Sequence, residues 1–270
     1  MKTIRPVIVA IAKLEQEYIV EWVQYHLALG FTHIYLYDNE DIPVYGEILR
    51  HYTDNVTVIH APYNNHNMGP IQYIILHHFI QTHIHKPDIT HVAHIDIDEF
   101  IVLKKHSDIR AFIEEYIKDE CAGIGMNWRH FGCNGHIEKS NQSVTERFTM
   151  CESLGNRHIK TIFDKSLFAG FDTCHAIFSK PGYHITNTMG DIIIGPYNDN
   201  ISFDVIQLNH YKTKTLLELR YARTRGRADV NVQTPEDIDE IFRQYDKNEI
   251  QENTARDFYR RLNVDLNLRL

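Results

Sequence analysis

The stretch His94-Ile95-Asp96-Ile97-Asp98-Glu99-Phe100 sets two aspartates one residue apart. Ile89, Val92 and Ala93 precede it, so residues 90–97 read as a buried strand that ends in acids. Successive side chains of a strand face opposite ways. Asp96 and Asp98 would then share one face, and Ile95 and Ile97 the other. Two carboxylates side by side repel unless a cation sits between them. Hard oxygen donors suit Mg²⁺ or Mn²⁺, which take one or two protein carboxylates and fill the remaining positions with water and substrate phosphate. The pattern points to a site for a metal and a diphosphate. A strand end running into a polar turn would carry the same letters.

The elements that must position this pair alternate in type. Residues 7–12 read as a strand and 17–29 as a helix, with Ile19, Trp22, Val23, His26 and Leu27 at helical spacing and Gly30 as its stop. A strand over 32–37 ends at Asp38-Asn39, a helix follows over 44–52 and a strand over 56–60. Pro70 opens a helix that runs to His83. Strands alternating with helices imply an α/β fold with a mainly parallel central sheet flanked by helices, and ligands at the carboxyl ends of its strands. Asp38 and the Asp96/Asp98 pair both fall at such ends. Later segments read as a helix over 109–117, strands over 159–163 and 205–208, a basic helix over 215–225, a helix over 234–245 capped by Thr234, and a last helix over 252–262. No linker composition divides the chain. It reads as a single domain over 1–270, with a first half (1–107) ending in the acidic strand, a second part (108–233) and C-terminal helices (234–270).

Composition narrows the classes. The chain has 270 residues, 43% of them hydrophobic, and a net charge of −8, which argues against a general nucleic-acid binder. Cys121, Cys133, Cys151 and Cys174 contain no C-x-x-C pair and read as reduced, mostly buried thiols. The apolar run at 7–12 is too short for a signal-peptide core, and no segment approaches membrane-spanning length. A soluble cytoplasmic protein is expected. His77-His78 and His83-x-His85 resemble a metal tract, but without companion ligands they read as solvated surface.

Several blocks, in order, resemble glycosyltransferase family 92. They are Lys13-Leu14-Glu15-x-x-Tyr18-Ile19-x-Glu21-Trp22-x-x-Tyr25-His26, Gly30-Phe31, Tyr37-Asp38-Asn39, Gln72 and Asp96-Ile97-Asp98-Glu99-Phe100. Trp128-x-x-Phe131-Gly132-x-x-Gly135-His136, Lys160-Thr161-Ile162, Asn209-His210-Tyr211, Arg225-Gly226 and Tyr245-Asp246-x-Asn248 follow. Leu14 stands where the family usually has Asn.

The resemblance implies a GT-A-like, nucleotide-sugar-binding fold and a metal-dependent hexosyltransferase. Its donor would be a UDP-sugar, UDP-galactose first, and its acceptor a hydroxyl of a glycan or glycoconjugate. Mn²⁺ or Mg²⁺ would be the cofactor, and transfer would proceed with inversion. Asp96 would face the ribose and the metal's water, Asp98 would ligate the metal, and His210 would be a further ligand or else a core histidine. Lys13, Glu15 and Gln72 would line the donor pocket. Asp38 would accept bonds from the base or else form an Asx turn. Arg225, in the basic run Arg220, Arg223, Arg225 and Arg227, would close over the diphosphate. Glu99 would position the motif, face the acceptor or be solvated. Trp128 would offer a face to a sugar or serve as core.

The catalytic base should lie in the second part of the chain. Asp172 after Gly170-Phe171 is the first candidate, with Asp164 and Glu152 as alternatives and Asp191 behind them. Animal members of the family are anchored in the Golgi, so the absence of an anchor suggests a microbial or viral enzyme. Two other classes are weighed: a metal-dependent phosphohydrolase with Asp96 as nucleophile, and a non-catalytic sugar-binding module.

Overall fold

The computed structural model describes residues 3–62, 70–226, 228 and 237–267, the last five as backbone only. The first half alternates as expected: β1 (Pro6–Ala12), α1 (Ile19–Ala28), β2 (His33–Asp38), α2 (Tyr45–Ile48), β3 (Val56–His60), α3 (Ile71–Thr82) and β4 (His91–His94). β1 lies between β2 and β4, parallel to both, and β3 continues the parallel set beyond β2. A strand so placed is covered on both faces and must be apolar throughout. Val7 and Val9 face one core with Ile75 and Phe79 of α3. Ile8, Ala10 and Ala12 face the other with Trp22 and Val23 of α1.

Gly30 ends α1 at φ +109°, and a Cβ there would stand 2.6 Å from the carboxylate of Asp108. Asp108 in turn caps α4 (Ile109–Tyr116) by accepting the Arg110 amide at 2.7 Å. The helix stop and the next helix start thus share one crowded point.

β4 ends at His94, three residues before the expected end. Residues 95–98 form a turn, and β5 (Glu99–Leu103) leaves in a new direction. The remaining strands are β6 (Cys121–His130), β7 (Met150–Cys151), β8 (Ile159–Asp164), β9 (Phe168–Phe171), β10 (Ile177–Ser179), β11 (His184–Thr186), β12 (Ile192–Ile193), β13 (Ile206–His210) and β14 (Ile250–Gln251). The remaining helices are α5 (Val144–Arg147), α6 (Leu216–Arg223), α7 (Ile238–Tyr245) and α8 (Thr254–Asn267).

Among the described residues the main sheet runs β12-β11-β6-β8-β4-β1-β2-β3, and β13 joins it through β6 and carries β5. It is parallel from β4 to β3 and mixed beyond, because β8 runs antiparallel to both β4 and β6. Strands from both halves share this sheet.

The expected Thr234 cap and Pro235 lie outside the described residues. α7 is capped by Asp237, whose side chain accepts the Glu240 amide at 3.0 Å. Cys133, Cys151 and Cys174 are buried thiols and Cys121 is partly buried. His77 and His85 are exposed as expected, but His78 bonds the Tyr37 hydroxyl at 2.8 Å and His83 packs on Tyr35. No described helix is long and apolar enough to cross a membrane.

Candidate active site

Strand ends converge on the acidic turn. The carboxyl ends of β1, β4, β6 and β13 meet there with the starts of β5 and β8. Registers make this explicit: Val9 pairs with His94, His210 with both Glu99 and His130, and Asn127 with Ile159. Two long-range bonds pin the turn. The Tyr211 amide donates to the Asp98 carbonyl at 2.8 Å, and the indole N–H of the fully buried Trp22 donates to the Glu99 carbonyl at 2.8 Å. Trp22 is a core residue that also buttresses the motif.

The two aspartates do not share one face of a strand, because the strand has already ended. Each has its own partners. Asp96 Oδ2 receives Lys160 Nζ at 3.0 Å, and Oδ1 receives Gln72 Nε2 at 3.0 Å. Lys160 has no exposed surface. Burial would raise the Asp96 carboxyl, but the Lys160 ammonium holds it below its ordinary value. Glu99 is not a solvated carboxylate: it is fully buried, its Oε2 accepts the Asp96 amide at 2.8 Å, and it lies 3.9 Å from Lys160. Burial, reinforced by the charges of Asp96 and Asp98, pushes the Glu99 carboxyl well above its ordinary value despite Lys160.

Asp98 Oδ2 stands 3.6 Å from His210 Nε2. Burial opposes its ionisation, but His210, then Lys214 and Arg225, hold the carboxyl well below its usual value. Among the described residues no group of three or more His, Cys, Asp or Glu side chains is arranged to hold a metal ion. The Asp98–His210 pair nevertheless fits two positions of one. Donors about 2.1 Å from an ion and at right angles stand about 3 Å apart, and an ion that binds a diphosphate needs only one or two protein ligands. Asp96 reaches the site already bonded, with Lys160 on one oxygen and Gln72 on the other.

Rings wall the other side. Trp128 stacks on His158 at 4.9 Å and 20°, and meets His210 at 4.5 Å and His175 at 5.2 Å. Imidazoles pack around its ring, which stays partly exposed within this histidine cluster. His130 is 1% exposed, packs on His210 and Tyr245, and neither ring nitrogen finds a hydrogen-bond partner. Burial, then His210 and Lys212, keep it neutral. Tyr245 arrives from the C-terminal block, where Asp246 accepts the Cys133 amide at 2.6 Å and Asn248 packs so close that a Cβ on Gly132 would meet it at 2.5 Å.

The other expected donor residues are distributed unevenly. Asp38 is fully buried, and its oxygens accept the amides of Glu40, Val44 and Tyr45 at 2.8–3.1 Å. It is the Asx-type organiser of its loop and does not present a carboxylate to a nucleotide base. Lys13 points to Asp41 at 3.9 Å, while its carbonyl accepts from Arg225 at 2.7 Å. Arg225 also pairs with Glu15. Arg225 and Glu15 thus reach the site as a pair, and Lys13 contributes backbone. Arg220 pairs with Asp239 on the surface, and Arg227 lies outside the described residues.

The base candidates separate clearly. Asp164 pairs with His91, at the end of β4 remote from Asp96, and caps the following turn through Ser166. Antiparallel β8 therefore carries it away from the site. Glu152 is buried, with Oε1 taken by the His130 amide at 2.7 Å. Asp191 is exposed and held by Asn187 and Asn200. Asp172 stands on the turn between β9 and β10, partly exposed; two residues on, the Cys174 carbonyl accepts from Lys160 at 3.5 Å and from His94 at 3.0 Å.

Sequence reasoning placed Lys160 in a matching block without giving it a role, and it did not single out Lys214 or the meeting of rings around Trp128. Lys160 did leave a signal: it shares strand parity with Ile162, so a lysine falls on a buried face.

The chain matches the profile of glycosyltransferase family 92 over residues 5–258. A comparison with curated proteins returns no match. Solved structures overlap in part. A cytidylyltransferase from Leptospira borgpetersenii is 11% identical, with a TM-score of 0.30 over 61% of each chain. A 4-diphosphocytidyl-2C-methyl-D-erythritol synthase is 8% identical, with a TM-score of 0.32 over 62% of this chain and 78% of the other. A UDP-glucose pyrophosphorylase complexed with UDP-glucose is 9% identical, with a TM-score of 0.29 over 66% and 75%. The family match extends from β1 into α8 and includes the acidic turn: the chain belongs to glycosyltransferase family 92 and is a glycosyltransferase.

Proposed function

We propose that the enzyme moves a hexose from a UDP-sugar, UDP-galactose first, to a hydroxyl of a glycan or glycoconjugate, with inversion and with a divalent ion at Asp98 and His210. The observation that carries this reading is geometric: Asp98 Oδ2 stands 3.6 Å from Nε2 of the buried His210, with Lys214 and Arg225 close enough to depress the Asp98 carboxyl. An imidazole beside a carboxylate suits Mn²⁺ better than Mg²⁺. Such an ion supplies positive charge to the departing diphosphate. Lys214 and Arg225 add fixed charge on the same side. Gln72 and Lys160 hold Asp96 still, and the Asp172 carboxylate receives the proton of the acceptor hydroxyl.

A phosphohydrolase that uses Asp96 as nucleophile is disfavoured, since neither Asp96 oxygen is presented to solvent without a donor already on it. The test is a thermal-shift panel of UDP-, GDP- and dTDP-sugars with and without Mn²⁺. A ligand at a hundred times its Kd stabilises by about 2.7 kcal/mol. UDP-galactose with Mn²⁺ should give the largest shift, and equal shifts for all three nucleotides would reject the UDP assignment.

A further inference from the structure

Three acids crowd into four residues at the acidic turn: Asp96, Asp98 and Glu99. A site of that charge would repel the diphosphate it must receive. One buried ammonium answers part of it. Lys160 Nζ lies 3.0 Å from Asp96, 3.9 Å from Glu99 and 3.5 Å from the Cys174 carbonyl, and the side chain has no exposed surface. A lysine is almost never fully buried unless it is paired. Its position is fixed from three sides: by β8, by the acidic turn and by the β9–β10 turn.

We propose that Lys160 is a built-in counter-ion that withdraws Asp96 from the cation site, so that Asp98 and His210 alone hold the ion and the donor's diphosphate completes its shell. The inference rests on the metal reading above and deepens it. With Asp96 paired to Lys160, the carboxylate left facing His210 is that of Asp98. A site of one carboxylate and one imidazole binds a free ion weakly and gains its remaining oxygens from the nucleotide, so the ion and the donor stabilise each other's binding. Lys160 is thus a positioning residue acting through Asp96.

The test measures Mn²⁺ uptake by the full chain, from the loss of the free-ion signal in electron paramagnetic resonance at pH 7.5, with melting temperatures in parallel. Asp98→Asn should weaken Mn²⁺ binding by about tenfold or more, the loss expected for a ligand. The paired variant Asp96→Asn/Lys160→Met removes one charge of each sign and should leave Mn²⁺ affinity at the wild-type value. Lys160→Met alone returns the Asp96 charge to the site and should tighten Mn²⁺ binding by about tenfold. If the paired variant weakens binding as Asp98→Asn does, Asp96 is a ligand and the inference is overturned. The inference is equally overturned if Lys160→Met folds and binds Mn²⁺ no better than wild type. Should Lys160→Met fail to fold, the paired variant, which leaves no uncompensated charge, decides alone. A wild-type protein that takes up no Mn²⁺ fails the metal reading itself, and the inference with it.

Discussion

Asp98 and His210 meet 3.6 Å apart because β5 and β13 run antiparallel, with the last residue of one in register with the first of the other. The acid comes from a turn and the imidazole from a strand end, and the Tyr211 amide on the Asp98 carbonyl locks the two backbones together. The pair is therefore built by sheet register and does not depend on either side chain's flexibility.

Asp98→Asn should abolish transfer while the fold persists. Its backbone bonds are untouched, and the lost charge is the one His210, Lys214 and Arg225 face. Turnover of UDP-sugar with and without chelator checks this. Full activity in excess chelator would sink the metal assignment.

His210→Ala should raise the Mn²⁺ concentration for half-maximal activity by about 10-fold or more, the usual cost of disturbing a metal site. Among the described residues its Nδ1 is buried without a hydrogen-bond partner, and its Nε2 faces Asp98 at 3.6 Å. A lowered melting temperature with an unchanged Mn²⁺ response would make His210 a core residue.

Much of this was legible in the letters, and the failures share a cause. Strands β1 and β2 show as apolar runs because both faces are covered, and Gly30 shows as a stop because its φ and the nearby Asp108 exclude a side chain. The end of β4 was hidden because Ile95 and Ile97 are as buried as strand residues, 0% and 2% exposed. What pins the turn there is long-range: Trp22 on the Glu99 carbonyl and Tyr211 on the Asp98 carbonyl. Asp164 was misplaced because strand direction is not written in composition. The histidine cluster around Trp128 joins β6, the start of β8, the β9–β10 turn and β13, and no local pattern reports such a meeting.

Leu14 sits at φ +58°, a left-handed conformation that costs an ordinary residue roughly 1–2 kcal/mol and that Asn tolerates. The family's usual Asn at this place is thereby explained by backbone geometry. Leu14→Asn should stabilise the protein by about 1 kcal/mol, a rise in Tm of about 2–4 °C. A scanning calorimetry trace with no rise would show that the Leu14 side chain contributes packing that offsets the strain.

Stability should fall as pH drops from about 6.5 towards 4. Burial lowers His26 to about 3 and, with Lys160 adding to it, His94 to about 4. The unfolded chain takes up these protons near the ordinary histidine value, while the folded chain does not until far lower pH. In that window each histidine contributes about 1.4 kcal/mol of lost stability per pH unit, and the loss levels off below the folded values. Denaturant midpoints measured at half-unit pH steps check this. A flat profile between 6.5 and 4.5 would mean that these imidazoles can be protonated in place.

Asp172 is the base candidate on a turn that is tied to Lys160. It shares a turn with Cys174 and His175, and that turn is docked on Lys160 and on Thr161, whose hydroxyl donates to the His175 carbonyl at 2.9 Å. A partly exposed carboxylate on a pinned turn is the one we propose for the proton of the acceptor hydroxyl. Removing a general base costs about 10²–10⁴ in rate. Asp172→Asn should lose transfer to that extent and keep donor binding, whereas Asp164→Asn, at the far end of β8, should transfer normally. Product anomer analysis by nuclear magnetic resonance completes the test. Near wild-type transfer by Asp172→Asn would remove it as base, and a product that retains the donor's configuration would remove the need for a base on that face at all.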